Sequence, residues 1–457
     1  MSGHSLDSKN ATANEMYLAN KSLTFTESFC SIIATETSAL TFLGIPAFAF
    51  TTDFSFLQIY IGAIFGRLLI ASYFIPKFYG HDLTIYGTLS ESHSTQGGQR
   101  SISLFYMGNK ILSVGVRLFT GSILISEFFQ INIYLAIFII TFLTFFYTLI
   151  GGLKAVVRTD ILQMGIFLGG GIIAHFMIPY VSEHSWSDLI STAYNANKMT
   201  IFNLDSPMSF VTGILGGFLF DMATHGVDQD YMQRLIANKS MRGAQLSIFA
   251  SSAMSITVGT LFLSVGALLW SHYQTIPVPD GVKPDHLFAY FISNYFPAGI
   301  KGLMVAGVMA ATMSTLDSTI NALCSCVYND LFPNRNKSKI NFYYVTDTII
   351  ITVLLLVVAF VSVNASGLLI LGLKIASWTG GPLLALVVGK IFMRNYFTFS
   401  LNAISAPVCY ALGIAGVAIN TYVYEFAWQW NVYFGFAFTI TGMFVLAKTL
   451  PKYFSAR

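Results

Sequence analysis

Charge is what this 457-residue chain has least of: Asp, Glu, Lys and Arg make up 10% of it, against roughly 25% in soluble domains. With 54% hydrophobic residues and a mean hydropathy of +0.65, that shortage excludes both a water-soluble globule and a disordered chain. Cysteine is scarce too. Cys30, Cys324, Cys326 and Cys409 lie in apolar stretches without CxxC or Cys/His spacing, so they read as small packing residues and not as a metal or redox set. Basic residues never gather into a block, so the net charge of +3 argues nothing for nucleic acid. The start, MSGHSLDSKNATANE, has no apolar run ahead of a cleavage site; it is not a signal peptide, and the first apolar run itself must engage the membrane. HExxH, a phosphate-binding loop and a credible Ser/His/Asp set are all missing, which leaves no support for an enzyme or for a bound cofactor.

What the chain does have is long apolar runs. A span needs about 20 such residues, and twelve candidates fall at roughly 24–50, 54–79, 105–127, 131–150, 160–181, 208–224, 244–271, 299–328, 342–363, 366–392, 399–420 and 432–450, with a short extra helix at 285–296. If the N-terminus is cytoplasmic, the inside loops hold Lys77, Arg100, Lys154, Arg158, Arg234, Lys239, Arg242, Arg335, Lys337, Lys339, Lys390 and Arg394, and the tail adds Lys448, Lys452 and Arg457. The outside loops hold only Lys198, Lys283 and Lys301. This asymmetry predicts a multi-pass protein of the plasma (inner) membrane with both termini inside.

Two spans are interrupted. The first runs IIATETSALTFLGIPAFAF, with Gly44 and Pro46 just past a polar stretch, and the sixth runs TGILGGFLFDMATHG, with Gly216 and Gly217 near its middle. Glycine and proline weaken a helix, and breaks at matching places in two halves point to a binding site at the bilayer midplane. Spans 1–5 and 6–10 are then the expected halves.

Polar residues sit where hydrocarbon penalises them. In AATMSTLDSTINALCS on span 8, Ala311, Ser314, Thr315, Asp317, Ser318 and Asn321 fall on one helical arc. Hydroxyl, carboxylate and backbone oxygens suit a small hard cation such as sodium. The alternative is that the hydroxyls bond back to their own helix and Asp317 pairs with a neighbouring span. Span 1 carries Thr35, Glu36, Thr37, Ser38 and Thr41, which read either as a solute site with freed carbonyls or as a Ser/Thr-rich helix interface with Glu36 paired to a base. Arg117 lies well inside the third apolar run, and its fork suits a carboxylate, whether of a solute, of Glu36 or of Glu127. Arg67 and Lys374 are expected to pair structurally or to snorkel.

Four separated motifs, SIIATETSALTFLG, GGLKAVVRTDILQ, HGVDQDYMQRLI and AATMSTLDSTINALCS, resemble the sodium:solute symporter family in order and across about 16–392. The resemblance implies an all-α polytopic membrane protein with a LeuT-like five-plus-five inverted repeat, broken helices 1 and 6, and about 12 transmembrane helices. It divides the chain into a cytoplasmic segment at 1–23, a ten-helix core at 24–392 (repeats at about 24–181 and 208–392), and two added spans with a short tail at 393–457. It also implies a main sodium site at Ala34, Thr37, Ala311, Ser314 and Thr315, and a second cation site at Asp160, Ser314, Asp317 and Ser318. Asp317 stands where relatives carry a hydroxyl, so the number and kind of ions stay open. The resemblance places Glu36, Ser38, Thr41, Phe56 and Tyr60 toward the substrate, and Arg117 joins them as a candidate only from its place inside the third apolar run. Family members carry an additional helix before the first core span, whereas this sequence begins almost at that core.

The expected activity is sodium-coupled symport of a small organic solute, a carboxylated solute, amino acid or sugar, by alternating access with Na+ as the coupling ion. Proton coupling on the same fold is the nearest alternative, suggested by Glu36, Asp160 and Asp317. A channel is disfavoured because the polar groups form no filter ring, and a transporter-like sensor because little chain follows Leu450.

Overall fold

The computed structural model describes residues 12–80, 83–92, 94–149, 152–202, 209–393, 396 and 400–449. Arg394, Lys452, Arg457 and residues 1–11 of the expected N-terminal segment lie outside the described residues. Among these, helices carry the whole architecture, and β pairing is limited to the isolated bridges Leu23 to Asn238 and Ser94 to Leu401.

Among the described residues, nine helices are long and apolar enough to cross a membrane: Leu57–Phe78, Gln96–Phe129, Gly152–Ser182, Met241–His272, Ala298–Leu331, Lys337–Asn364, Leu368–Ile391, Ser405–Tyr424 and Trp430–Thr449. They are spans 2, 3, 5, 7, 8, 9, 10, 11 and 12. Two bent pairs pass the same test together: Phe25–Glu36 with Leu40–Thr51 (57°), which is span 1, and Phe210–Gly226 with Gln229–Ile236 (65°), which is span 6. The shorter apolar helix Ile133–Thr148 is span 4. The expected extra helix is present as Pro284–Tyr295. Span 4 turns Phe138, Phe142 and Phe146 outward, and span 5 does the same with Leu162, Phe176 and Tyr180. Such an apolar perimeter suits lipid and not water.

Both breaks differ from the expected positions. In span 1 the bend falls at 37–39, ahead of Gly44 and Pro46, which belong to the second half. No glycine is needed there because side chains take up the freed backbone groups. Ser38 N–H donates to Thr41 Oγ1 (3.3 Å) and Leu40 N–H to Ser38 Oγ (3.3 Å), while Thr37 Oγ1 adds a second bond to the Ile33 carbonyl (2.6 Å), which keeps its helical donor. In span 6 the helix Phe210–Asp221 runs straight through Gly216 and Gly217, and the bend comes at 227–228. The span also extends past 224, because Gln229–Ile236 is polar in composition yet buried throughout.

The two central glycines serve close packing instead. A Cβ on Gly217 would lie 2.3 Å from the Ile59 carbonyl oxygen, and one on Gly62 would lie 2.1 Å from that of Ile214, so spans 2 and 6 touch backbone to backbone. Gly217→Ala is expected to force them apart at a cost of about 1–3 kcal/mol, measured as a lower melting midpoint in detergent. Span 1 packs against spans 5, 7 and 8, and Ser31 on its first half shares Asp160 with Ser314 on the polar arc of span 8.

Residues 12–23 are packed, not trailing. The helix Ala13–Leu18 buries Met16, Tyr17 and Leu18, the chain then turns through positive φ at Ala19, Asn20 and Lys21, and Leu23 N–H donates to the Ala237 carbonyl. On the opposite face, Lys198 donates to the Phe50 carbonyl (2.9 Å) over the Trp270 ring, and partial burial lowers its pKa against the opposing pull of Asp53.

Candidate functional site

The bend in span 1 strips a carbonyl of its helical donor. Thr37 N–H still reaches Ile33 O (2.8 Å), but the next donor, Ser38 N–H, is turned to Thr41 and does not return to Ala34 O. A main-chain oxygen is thereby left over inside the protein at Ala34, the kind of group that a cation satisfies.

On span 8, Ser314, Thr315, Asp317, Ser318, Thr319 and Asn321 are all buried. Thr315 does bond back to its own helix, at the Ala311 carbonyl (3.0 Å). Three other hydroxyls do not. Ser314 Oγ donates to Asp160 Oδ1 (2.5 Å), Ser318 Oγ to Asp317 Oδ1 (3.3 Å) and Thr319 Oγ1 to Asp230 Oδ2 (3.3 Å). Asp317 also accepts from the Tyr147 hydroxyl at the end of span 4 (2.5 Å), and among the described residues it has no base within ion-pair distance.

The four residues expected to form a second cation site are therefore gathered in one place, with a fixed cation among them. Arg234, from the second half of span 6, donates to Ser318 Oγ and to Ser31 Oγ (2.6 Å), pairs with Asp230 (2.5 Å) and lies 3.6 Å from Asp160 Oδ2. Ser31 in turn donates to Asp160 (2.5 Å). Arg234, counted from the sequence as a loop cation, is 1% exposed and belongs to this cluster. It was misplaced because span 6 was ended before the polar segment that carries it.

Between spans 1, 2, 3, 6 and 10 lies a cavity of about 130 Å³, and Glu36, Ser38, Thr41, Phe56, Tyr60 and Arg117 all line it. Glu36 is already engaged: Oε1 accepts from Arg67 Nη2 (2.7 Å) and Oε2 from Ser255 (2.8 Å). Arg67 is fully buried and pairs as well with Asp221 (3.2 Å), Ser251 (2.7 Å) and Ser255 (3.0 Å), so it is a structural cation. Its partner Asp221, and His225 (3.0 Å from Asp221), stand in FLFDMATHG; an ionisable residue in an apolar run was the signal that marks them. Of the lysine and arginine side chains that line the cavity, Lys110 pairs with Asp228 (2.8 Å) and Asp230 (3.0 Å). Arg117 makes no ion pair or hydrogen bond among the described residues, and its Nε is buried without a partner. Neither acid proposed for it is available, since Glu36 is held by Arg67 and Glu127 lies beside His286 (4.0 Å). Among the described residues no three His, Cys, Asp or Glu side chains gather as a transition-metal site.

The profile of the sodium:solute symporter family matches residues 16–398. A sodium/sialic acid symporter of Proteus mirabilis is 27% identical over 315 residues, covering 68% of this chain and 64% of that protein. Sodium-coupled monocarboxylate transporter 2 of Homo sapiens is 25% identical over 432 residues, 91% of this chain and 69% of its own length. The chain thus spans about two thirds of the length of these relatives. Among solved structures, a substrate-bound, outward-open Na+-coupled sialic acid symporter is similar with a TM-score of 0.85 at 23% identity, over 97% of this chain and 93% of that one. Mhp1, a nucleobase-cation-symport-1 family transporter in a closed conformation, follows at 0.63 and 15%, over 98% and 97%. The fold is that of the LeuT-like transporters.

Proposed function

The chain belongs to the sodium:solute symporter family, and from that premise we propose that it is a sodium-coupled secondary active transporter for a small carboxylated solute. The observation that carries this reading is Arg117, a cation in the central cavity that the protein itself leaves unpaired. Arg117 is half-buried, with its Nε cut off from any partner; a carboxylate would satisfy that fork, and the relatives' sialic acid and monocarboxylates both supply one. A cavity of about 130 Å³, below the roughly 300–1,000 Å³ of drug-sized sites, favours a short solute.

Sodium binds between the Ala34 carbonyl with Thr37 on span 1 and Ala311, Ser314 and Thr315 on span 8. Solute and ion then stabilise the same arrangement of the break, which is reciprocal linkage. One charge crossing 100 mV is worth about 2.3 kcal/mol, but a monocarboxylate carried with one sodium ion moves no net charge, so a tenfold sodium gradient, about 1.4 kcal/mol, sustains a roughly tenfold solute gradient. Arg234 supports a single sodium, because its guanidinium already neutralises Asp160 where a second cation would sit. The division into two five-span repeats and two added spans, the cytoplasmic termini and the plasma-membrane location complete the proposal.

In proteoliposomes with an inside-negative potential, an inward sodium gradient is expected to accumulate labelled lactate or sialic acid, and potassium is not. Equal accumulation in potassium would overturn the reading. Asp317, which accepts from the Tyr147 and Ser318 hydroxyls and has no base within ion-pair distance among the described residues, favours proton coupling as the second reading; accumulation driven by a pH gradient without sodium would establish it. Ser314→Ala combined with Thr315→Ala is expected to raise the half-saturating sodium concentration about tenfold, from the loss of roughly 1.5 kcal/mol of ion contacts. Unchanged sodium dependence would remove the site assignment.

A further inference from the structure

Above the central cavity lies a second one of about 520 Å³, on the face opposite Ala13–Leu18, that no part of the proposed cycle uses. Its lining includes Thr52 at the end of span 1, Lys374 and Trp378 on span 10, and Glu425, Trp428 and Gln429 between spans 11 and 12. Two features mark it as more than a surface hollow. Lys374 is exposed into it and, among the described residues, has no ion-pair partner, Glu425 included. Gln429 is 1% exposed, and its carboxamide oxygen has no hydrogen-bond partner, so the amide has bonding capacity that the protein leaves unused. The neighbouring Asn431 is held rigid by Asn420 (2.7 Å) and Ser377 (3.2 Å).

The wall between the two cavities is thin and aromatic. Phe48 lines the outer cavity and Phe56 the inner, with ring centroids 5.4 Å apart. Trp428 and Phe220 repeat the arrangement at 5.3 Å, edge to face. Span 10 borders both spaces, presenting Leu369, Gly372 and Ala376 to the inner one and Ile370, Lys374 and Trp378 to the outer.

We infer that the outer cavity is a second, weaker seat for a monocarboxylate solute, from which the solute passes to Arg117 when the Phe48/Phe56 and Phe220/Trp428 pairs separate. Lys374 takes the carboxylate, the faces of Trp378 and Trp428 take the body, and Gln429 takes a polar substituent. Glu425 repels a second negative charge, so dicarboxylates are disfavoured. This inference rests on the transport reading above.

The test uses the full chain with labelled lactate and labelled sialic acid. In proteoliposomes, Lys374→Gln is expected to raise KM about three- to tenfold, well beyond any change in maximal rate, because a charge at the mouth governs encounter more than turnover. Lys374→Glu should raise KM further. In purified Arg117→Gln protein, sodium-independent binding of the label should persist and disappear when Lys374→Gln is added. Unchanged KM in both Lys374 variants, or no residual binding in Arg117→Gln, overturns the outer seat while intact sodium-driven uptake leaves the transport reading standing. Absence of sodium-driven uptake in the wild type overturns the transport reading, and the staging role with it.

Discussion

Arg67→Met is expected to destabilise the protein by about 3–5 kcal/mol, the cost of stranding a buried partner charge. The guanidinium is fully buried and joins Glu36 on span 1, Asp221 on span 6 and Ser251 and Ser255 on span 7. Methionine fills comparable volume but leaves the two carboxylates with His225, 3.0 Å from Asp221 and 4.0 Å from Glu36, in place of the bridging guanidinium. The melting midpoint in detergent should fall and solute uptake should go with it. Adding Glu36→Gln and Asp221→Asn removes the stranded charges, and the midpoint should then recover most of the loss. Failure to recover would mean that packing, not charge, is what Arg67 provides.

Arg117→Gln should behave in the opposite way. Because Arg117 has no internal partner, its loss strands nothing, and the melting midpoint should stay near the wild-type value. What it removes is a charge-assisted bond to the solute carboxylate, worth about 1.5–3 kcal/mol, or roughly 10- to 150-fold in uptake kcat/KM. Arg117→Lys keeps the charge and loses the fork, so an intermediate loss is expected. Uptake of a carboxylated solute unaltered by either substitution would remove the clamp. The pair of results, stability from one arginine and recognition from the other, distinguishes two cations that lie in similar apolar runs of the sequence.

Their difference shows where sequence stops being informative. Apolar length places the nine long helices and the two bent pairs found among the described residues, because hydrocarbon thickness imposes it locally, whereas Ile133–Thr148 is shorter than a full span. The polar residues of spans 1 and 8 were visible for the same reason: each is an outlier in its own segment. Partnership is not local. Glu36 meets Arg67 and not Arg117 only because spans 1 and 2 pack as they do. Gln229–Ile236 hid because a helix buried among polar groups has the composition of a loop. Gly44 and Pro46, the usual breakers, draw the expected break past 37–39, whereas Ser38 and Thr41 satisfy the freed N–H groups themselves. The outer cavity joins Thr52, Lys374 and Gln429, residues with no pattern in common along the chain.

The claim on which the rest depends is that one sodium ion sits between the freed Ala34 carbonyl and the hydroxyls of span 8. Equilibrium binding of radioactive sodium to the purified protein tests it without reference to any solute. Saturable binding in the wild type, weakened about tenfold in the Ser314→Ala and Thr315→Ala double variant, is the predicted result. Equal sodium binding by the two proteins would contradict it.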